Sequence, residues 1–484
     1  MQTFDQPVIA VVGGGASGTL AVVHLLQRLR PAPAGSAPLR ICLIDQHGRH
    51  GLGRAYATSH PGHLLNSPAG GMSAVAGDPG HLTRWADAAG LQHDGFLPRR
   101  DYGRYLTDLL SSAEHHARAA ARVTRITATV TEISEAGPHR PLRLRLTSGG
   151  PIDADAVVLA TGSLPPASAR PMPGGARYLA DPWAPGALDR AADGRPVLII
   201  GTGLTMLDAA MAVTDADPRT VVHAVSRHAL LPREHRPTPA LAAPALPAPA
   251  LAAPALSAPA LPGLVPGVGP VRLARLVREV RAAAERHPGD WQDLVDALRP
   301  HVPGLWARLS PADQRLFLRR YARYWEVHRH RVPPATAARV ARLRAAGRLR
   351  LLPGQVIAAW DEPDGIRARI AAEGSVTDLS AGWLVNATGP AADVTKVADP
   401  LLRGLLDSGL IRPDPHRLGL DVGPGNTVLD ASGRPSDRIF ALGPLLRGRR
   451  YETTAIPEIR DQAAVVARGL MMLISPAARR GSAA

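Results

Sequence analysis

The feature that most limits how this chain can fold is a pair of short apolar runs, each followed by glycines and then by an apolar-periodic stretch. Val8-Ile9-Ala10-Val11-Val12 leads into Gly13-Gly14-Gly15-Ala16-Ser17-Gly18, after which Leu20, Val23, Leu26 and Leu29 recur at helical spacing. Val197-Leu198-Ile199-Ile200 leads in the same way into Gly201-Thr202-Gly203-Leu204-Thr205-Met206. A strand that is apolar throughout is one covered on both faces, and the helix after it is the crossover that parallel pairing requires. Ile41-Cys42-Leu43-Ile44-Asp45 and Val221-Val222-His223-Ala224-Val225 supply a second strand for each unit. Both stretches therefore read as βαβ, and the expected class is α/β with two Rossmann-like domains.

The glycine spacing gives these units a chemistry. Gly13, Gly15 and Gly18 form G-x-G-x-x-G between a buried strand and a helix, the context in which the motif is specific. Gly13 permits the tight turn, Gly15 lets a pyrophosphate approach the backbone, and Gly18 lets helix and strand pack closely. Ser17 lies in the first turn of a helix whose N-terminal N–H groups favour an anion. Asp45, at the end of the second strand, is placed to hold a ribose hydroxyl pair. In the second unit Gly201 and Gly203 remain but Met206 replaces the third glycine. The strand there ends in Ser226-Arg227 with no acid, which suits a 2′-phosphate and leans the electron donor from NADH toward NADPH.

Val157-Val158-Leu159-Ala160-Thr161-Gly162 and Leu384-Val385-Asn386-Ala387-Thr388-Gly389 are strands that each end in Ala-Thr-Gly. They resemble the two crossover strands of flavoproteins with two dinucleotide domains, which implies FAD contacts at Ala160, Thr161, Gly162, Thr388 and Gly389. On that plan residues 1–165 and 384–484 form a discontinuous FAD domain, and 166–236 with 347–383 the NAD(P) domain. Strand and glycine at Ile439 to Gly443 then stand where such proteins contact the ribityl-phosphate end of the flavin. Ile456, opening a last helix ahead of Pro457, would aim its N-terminus at the flavin.

Between these parts lie two unlike segments. Residues 237–265 carry Pro-Ala-Leu five times at a five-residue interval, which matches neither helix nor strand and reads as an extended surface loop. Residues 266–346 are Arg- and Leu-rich and read as a helical insertion. Within it Ser310-Pro311-Ala312-Asp313 is an N-cap signature for a helix expected to run to about His330. Residues 123–147 alternate as a hairpin or meander would.

Composition removes several classes. The one cysteine, Cys42, excludes an intrachain disulfide and the thiol pair of a disulfide reductase. The formal charge of +15 comes almost wholly from arginine, with Lys396 the single lysine, and aromatics are too sparse to form a base-stacking platform; nucleic-acid binding is not expected. A first strand beginning near Pro7 leaves no room for a secretory leader, and no apolar run is long enough to span a bilayer. The expected setting is cytoplasmic. No histidine sits in a constellation suited to a metal.

Gly51 to Tyr56, His63 to Gly70 with Met72-Ser73, Leu97 to Tyr105 and Thr453 to Arg460 narrow the resemblance. They are similar to the bacterial FAD/NAD(P)-binding flavoproteins that include the FAD-dependent urate hydroxylase and a flavin-dependent amine monooxygenase. The resemblance implies FAD, an NADH or NADPH donor, molecular oxygen and a small-molecule substrate, with Asn66 and His63 near the flavin. It implies urate hydroxylation to 5-hydroxyisourate through a C4a-hydroperoxyflavin. The alternatives are N-hydroxylation of an amine or amino acid, and a flavin oxidoreductase that inserts no oxygen. A non-catalytic redox sensor is a third class. Arg449-Arg450-Tyr451 departs from the apolar approach to the flavin expected of the group.

For the reacting residues, Tyr324 to Arg331 gathers aromatic, imidazole and guanidinium groups at one helix end. His328, Arg329, His330 and Arg331 are the catalytic candidates, able to clamp a planar anion or move a proton. The oligomeric state is not legible.

Overall fold

The computed structural model describes residues 6–31, 37–91, 95–135, 137, 140–166, 171–236, 269–287 and 289–474. The Pro-Ala-Leu loop lies outside the described residues.

The first unit is built on β1 (Val8–Val12), whose last four residues are buried, flanked in parallel by β2 (Leu39–Asp45) and β7 (Ala156–Leu159). Helix α1 (Ala16–Leu26) follows the glycine turn, and ten of its eleven residues are buried. An amphipathic helix would show a wet face; this one has none because α2 (Arg99–His116) and the C-terminal helix both cover it. Helix α2 is also the crossover from β2 to β3 (Ala121–Thr127), which pairs parallel with β2. The chain then makes a three-stranded antiparallel meander, β4 (Val130–Glu135), β5 (Leu142–Leu146) and β6 (Ile152–Ala154), before β7. The alternation from residue 123 is thus divided. Its first strand closes the main sheet and only the rest forms the meander.

The second unit repeats this order. After the short β8 (Tyr178–Leu179) come β9 (Val197–Ile200), α3 (Leu204–Ala216) and β10 (Val222–Ser226). The helical insertion follows, with α4 (Leu273–Arg286), α5 (Trp291–Leu298), α6 (Val302–Arg308), α7 (Pro311–Arg320) and α8 (Ala322–Arg329). Ser310 caps α7, accepting from the Asp313 backbone N–H. The single helix expected to reach His330 is two helices, broken at Tyr321 (φ −113°, ψ −29°).

Helix α9 (Pro334–Ala345) packs Val340 and Leu343 into the core of the second unit. It is the crossover between β10 and the parallel β11 (Leu349–Pro353), so the insertion stops short of it rather than at residue 346. A second meander follows, β12 (Gln355–Glu362), β13 (Gly365–Ala372) and β14 (Ser375–Ala381), which no sequence signal indicated. Then β15 (Trp383–Asn386) returns beside β9. That pairing places residues 384–386 in the second sheet, so the chain re-enters the first unit later than residue 384. It does so through α10 (Pro400–Asp407), β16 (Thr427–Leu429), β17 (Pro435–Ala441) and α11 (Ile456–Ile474). The sheets run β16-β17-β7-β1-β2-β3 and β11-β10-β9-β15-β8.

Candidate functional site

Each unit presents its glycine turn at the carboxyl end of its central strand, the edge at which open α/β sheets take ligands. The two turns are close copies. Gly13 (φ +110°) donates to the Ile44 carbonyl at 2.8 Å, and Gly201 (φ +114°) to the Val225 carbonyl at 2.8 Å. A Cβ on Gly13 would collide with the Ala160 carbonyl oxygen, and one on Gly201 with that of Ala387. Those carbonyls belong to the two Ala-Thr-Gly segments, whose place in the fold is thus to close the back of each turn. The helices start alike, capped by Gly15 (φ −73°, ψ −165°) and Gly203 (φ −85°, ψ −166°).

The differences bear on ligand chemistry. A Cβ on Gly18 would overlap the Gly13 carbonyl oxygen, which explains the third glycine of the first turn. Gly15 faces Gly53, and its Cβ would lie 3.2 Å from the Gly53 Cα. The close approach at Gly15 is therefore also to this chain's own loop, beyond the pyrophosphate reason. Nothing lies within 4 Å of a Cβ on Gly203, Gly162 or Gly389, so these faces are open. Asp45 accepts from the Gly14 N–H at 3.2 Å with one oxygen, and from His47 and Arg49 N–H at 2.9 and 3.0 Å with the other. At the matching place in the second unit, Ser226 Oγ lies 2.8 Å from Thr202 Oγ1. Arg227 is exposed beside His228, and no acidic partner for it occurs among the described residues.

The residues around the first turn fit a dinucleotide. Thr161 Oγ1 is buried beside the Ala160 carbonyl with no hydrogen-bond partner, a cost a ligand oxygen would relieve. Its counterpart Thr388 is satisfied by Asn386 Oδ1 at 2.7 Å. Gly443 (φ +77°) sits over Ser17, where a Cβ would come within 2.5 Å of the Ser17 Oγ. Gln462 Oε1 accepts from its N–H at 2.7 Å, and Thr453 Oγ1 donates to its carbonyl at 2.8 Å. Ile456 is buried at the first position of α11, which carries the helix N-terminus to this cluster. The Asn66 side chain is half-buried, and its backbone carbonyl meets His235 Nε2 at 3.0 Å.

The catalytic candidates are not brought together. His328 Nδ1 lies 2.7 Å from the Tyr324 carbonyl of its own helix, and its ring stands edge-on to Trp291. Arg331 is spent on Gln292 Oε1 at 2.6 Å and on Asp296, tying the end of α8 to α5. Arg329, 4% exposed, lies 3.3 Å from Glu452 and 3.8 Å from Glu458. Only His330 stays free of such ties. Desolvation, and then Arg329, Arg447 and Arg299, push its pKa down to about 3, so it is a neutral imidazole. The cluster is a splice between insertion and C-terminal helix, not a convergent anion pocket. The helix ends at Arg329 and His330 leaves it (φ −94°, ψ 70°), so the four consecutive side chains take different directions, which a list of residue types does not show.

The unexpected 449–451 run is likewise held by partners within the chain, of which only Trp306 belongs to the insertion. Arg449 pairs with Asp421 at 2.5 Å, Arg450 donates to Asn426 at 2.7 Å, and Tyr451 stacks on Trp306 at 5.0 Å between ring centres. These arginines face acids and amides at their backs.

Sequence reading missed a contact between the units. Arg99 meets Asp208 of α3 at 3.0 Å, and His63 Nε2 lies 2.9 Å from the Asp208 carbonyl. Burial pushes the His63 pKa down, against the pull of Asp208. His63 is thus turned toward the second unit rather than held for a flavin alone. Arg54 adds a pair with Asp181 at 2.7 Å. An acid inside the otherwise apolar run Met206 to Met211 was the available signal. Among the described residues no three His, Cys, Asp or Glu side chains gather to hold a metal, and no helix is long and apolar enough to cross a membrane.

Comparison with known proteins agrees with this geometry. Residues 10–164 match a family model described as FAD-NAD(P)-binding. An uncharacterized protein of Escherichia coli strain K12, YdhS, is 28% identical over 221 residues, 42% of this chain and 39% of its own length. The chain thus spans about two-fifths of that relative. Among solved structures, the ornithine N-hydroxylase of Kutzneria sp. 744, with reduced FAD, NADP+ and L-ornithine, is 17% identical with a TM-score of 0.59, over 97% of this chain and 100% of its own. The L-lysine 6-monooxygenase of Pseudomonas syringae is 16% identical with a TM-score of 0.61, over the same shares. Residues 10–164 thus match an FAD-NAD(P)-binding family model, and the whole chain has the mixed α/β fold with parallel sheets found in flavoprotein monooxygenases.

Proposed function

We propose that this protein is an FAD-dependent, NADPH-consuming monooxygenase that N-hydroxylates a small amine or amino acid. The observation that carries the reading is the pair of matching glycine turns, each closed by its own Ala-Thr-Gly carbonyl, within one chain. The structural likeness to ornithine and lysine N-hydroxylases over nearly the full chain supports the substrate class, which the sequence reading held as its alternative. Urate, its first choice, rested on the family resemblance, and the arginine cluster that would have suited it equally suited an amino acid carboxylate. Arg329 and Arg331 are instead committed to internal acids.

In this reading Gly13, Gly15, Ser17 and Gly18 present the α1 N-terminus to the FAD pyrophosphate. Asp45 would offer its remaining lone pairs to the ribose, and the unpaired Thr161 Oγ1 would donate to the same ligand. Gly443, its N–H held by Gln462 and its carbonyl by Thr453, brings side-chain-free backbone up to Ser17, while Ile456 at the α11 N-terminus and the Asn66 amide place N–H donors on the flavin side. Gly201, Gly203 and the α3 N-terminus take the NADPH pyrophosphate. Arg227, aided by Ser226, reads the 2′-phosphate. Thr388 orders its own loop through Asn386, leaving Gly389 as the open contact. FAD, when bound, accepts a hydride from the nicotinamide and activates oxygen for transfer. Amine, oxygen, NADPH and a proton would yield hydroxylamine, water and NADP+. His330, held as a neutral imidazole by burial and by Arg329, Arg447 and Arg299, is left without a proton-transfer role in this reading.

The test is NADPH oxidation by the FAD-loaded protein with ornithine, lysine, other diamines and urate, with hydroxylamine and peroxide counted together. An amine that raises oxidation and yields hydroxylamine in equal measure supports the reading. Urate consumption would return the first choice. Electrons appearing wholly as peroxide with every amine would leave an oxidoreductase without oxygen insertion.

A further inference from the structure

Loop 58–66 and the start of α2 carry the motif residues His63 and Arg99, yet their polar groups point across to α3 of the second unit. Arg99 holds two elements at once. Its Nε donates to the Leu64 carbonyl at 3.2 Å and its Nη2 lies 3.0 Å from Asp208 Oδ2. His63 is clamped from both ring nitrogens, by Thr58 Oγ1 at 2.8 Å and the Asp208 carbonyl at 2.9 Å. Trp183, on the segment leading into the second sheet, covers the pair; the His63 ring meets it edge-on at 5.8 Å and the Arg99 guanidinium lies 5.8 Å from its centre. Arg99 and Asp208 are 15% and 8% exposed at their side chains, and His63 is 2% exposed, so water competes little for these contacts.

Asp208 sits one turn into α3, the helix capped by Gly203. Helices are stiff over one turn, so whatever fixes Asp208 fixes the second nucleotide turn relative to the first unit. We infer that Arg99 and Asp208, with His63 and Thr58 behind them, are positioning residues that set where the NADPH-binding turn stands against the FAD-binding unit. They touch neither nucleotide turn directly and act through α3. The inference rests on the proposed nucleotide assignment. The Arg99 guanidinium also braces the loop that carries Asn66, so one side chain aligns both partners of hydride transfer.

Asp208→Asn keeps the shape and the His63 contact while removing the charge, and Arg99→Lys keeps the charge while giving up the fork. For Asp208→Asn the rate of flavin reduction at saturating NADPH should fall on the order of tenfold or more, as misplacement of reacting groups does. FAD content and the affinity for 2′,5′-ADP should stay within about twofold, since neither turn is altered. Arg99→Lys should fall between wild type and Asp208→Asn. In the cofactor-free protein, amide exchange should rise together at residues 58–66 and 204–212. A reduction rate per bound flavin equal to wild type in both variants, or exchange unchanged in both segments, overturns the inference. Failure of wild-type flavin to be reduced by any nicotinamide would instead overturn the function reading, and the exchange result would still judge the latch.

Discussion

The two nucleotide units share a backbone and differ in side chains. In each, a central strand, a left-handed glycine, a helix, a crossover, a meander and a returning strand follow in the same order. The first turn has a third glycine because Gly18 presses on the Gly13 carbonyl, whereas the buried Met206 shows that α3 accommodates a side chain at that place. The first unit ends β2 in an acid and the second ends β10 in Ser226-Arg227. What recurs is therefore the backbone geometry an anion needs, and what diverges is the recognition of the sugar beyond it. Glycine at φ near +110° against a carbonyl is demanded by sterics, while ribose and phosphate recognition changes with one or two side chains.

The largest expected effects break the equivalence at its root. Gly13→Ala and Gly201→Ala each force a Cβ onto a backbone carbonyl at positive φ, and each should destabilise its unit by at least ~2 kcal/mol. Flavin content should collapse for Gly13→Ala, while Gly201→Ala should keep its flavin yet lose NADPH-driven reduction. If both variants lost the same nucleotide, the two-site comparison would fail.

Arg227→Ala sharpens the chemical difference. Losing a charge-assisted contact worth ~1.5–3 kcal/mol should cut the NADPH preference over NADH by about tenfold or more, read from kcat/KM for both donors. A preference that does not move would mean the 2′-phosphate is read elsewhere.

Each unit also contributes a histidine kept neutral by burial. His24 on α1 and His235 after β10 both have pKa values lowered to about 4, chiefly by desolvation and in spite of a backbone carbonyl contact. Because the unfolded chain takes up protons near pH 6.5 and the folded one does not, stability is full above that pH. It should fall by up to about 1.4 kcal/mol per pH unit for each group as pH drops from 6.5 toward 4. Denaturant melts across that window check it, with His24→Gln and His235→Gln expected to flatten the slope by one proton each.

The smallest effect tests the open face. Gly203→Ala adds a methyl group that meets nothing, at an ordinary φ of −85°, so stability should stay within ~0.5 kcal/mol. Affinity for 2′,5′-ADP should nonetheless weaken if the pyrophosphate lies against that Cα. Unchanged affinity would place the ligand away from it.

Much of this was legible in advance because it is local. A continuous apolar strand, a glycine turn and a helix are decided within about twenty residues, so β1-α1-β2 and β9-α3-β10 are where the residues said. Ser310 caps its helix for the same reason. The second meander was not legible. Its strand β14, Ser375–Ala381, is largely exposed and carries little apolar alternation, its pairing being set by the neighbour across the sheet. The helix break at Tyr321 was hidden too, since no glycine or proline marks it.

By itself, then, the amino-acid sequence determined the α/β class, the two glycine turns and the two strand ends behind them. These are backbone demands that only a few residue types can meet. The tertiary structure decided the rest. It turned Arg329 and Arg331 inward to acids on other elements, placed residues 384–386 in the second sheet, and set Arg99 against Asp208 across 109 positions of chain. A side chain's direction and partner depend on which elements pack together, and periodicity along one segment carries no information about its neighbour.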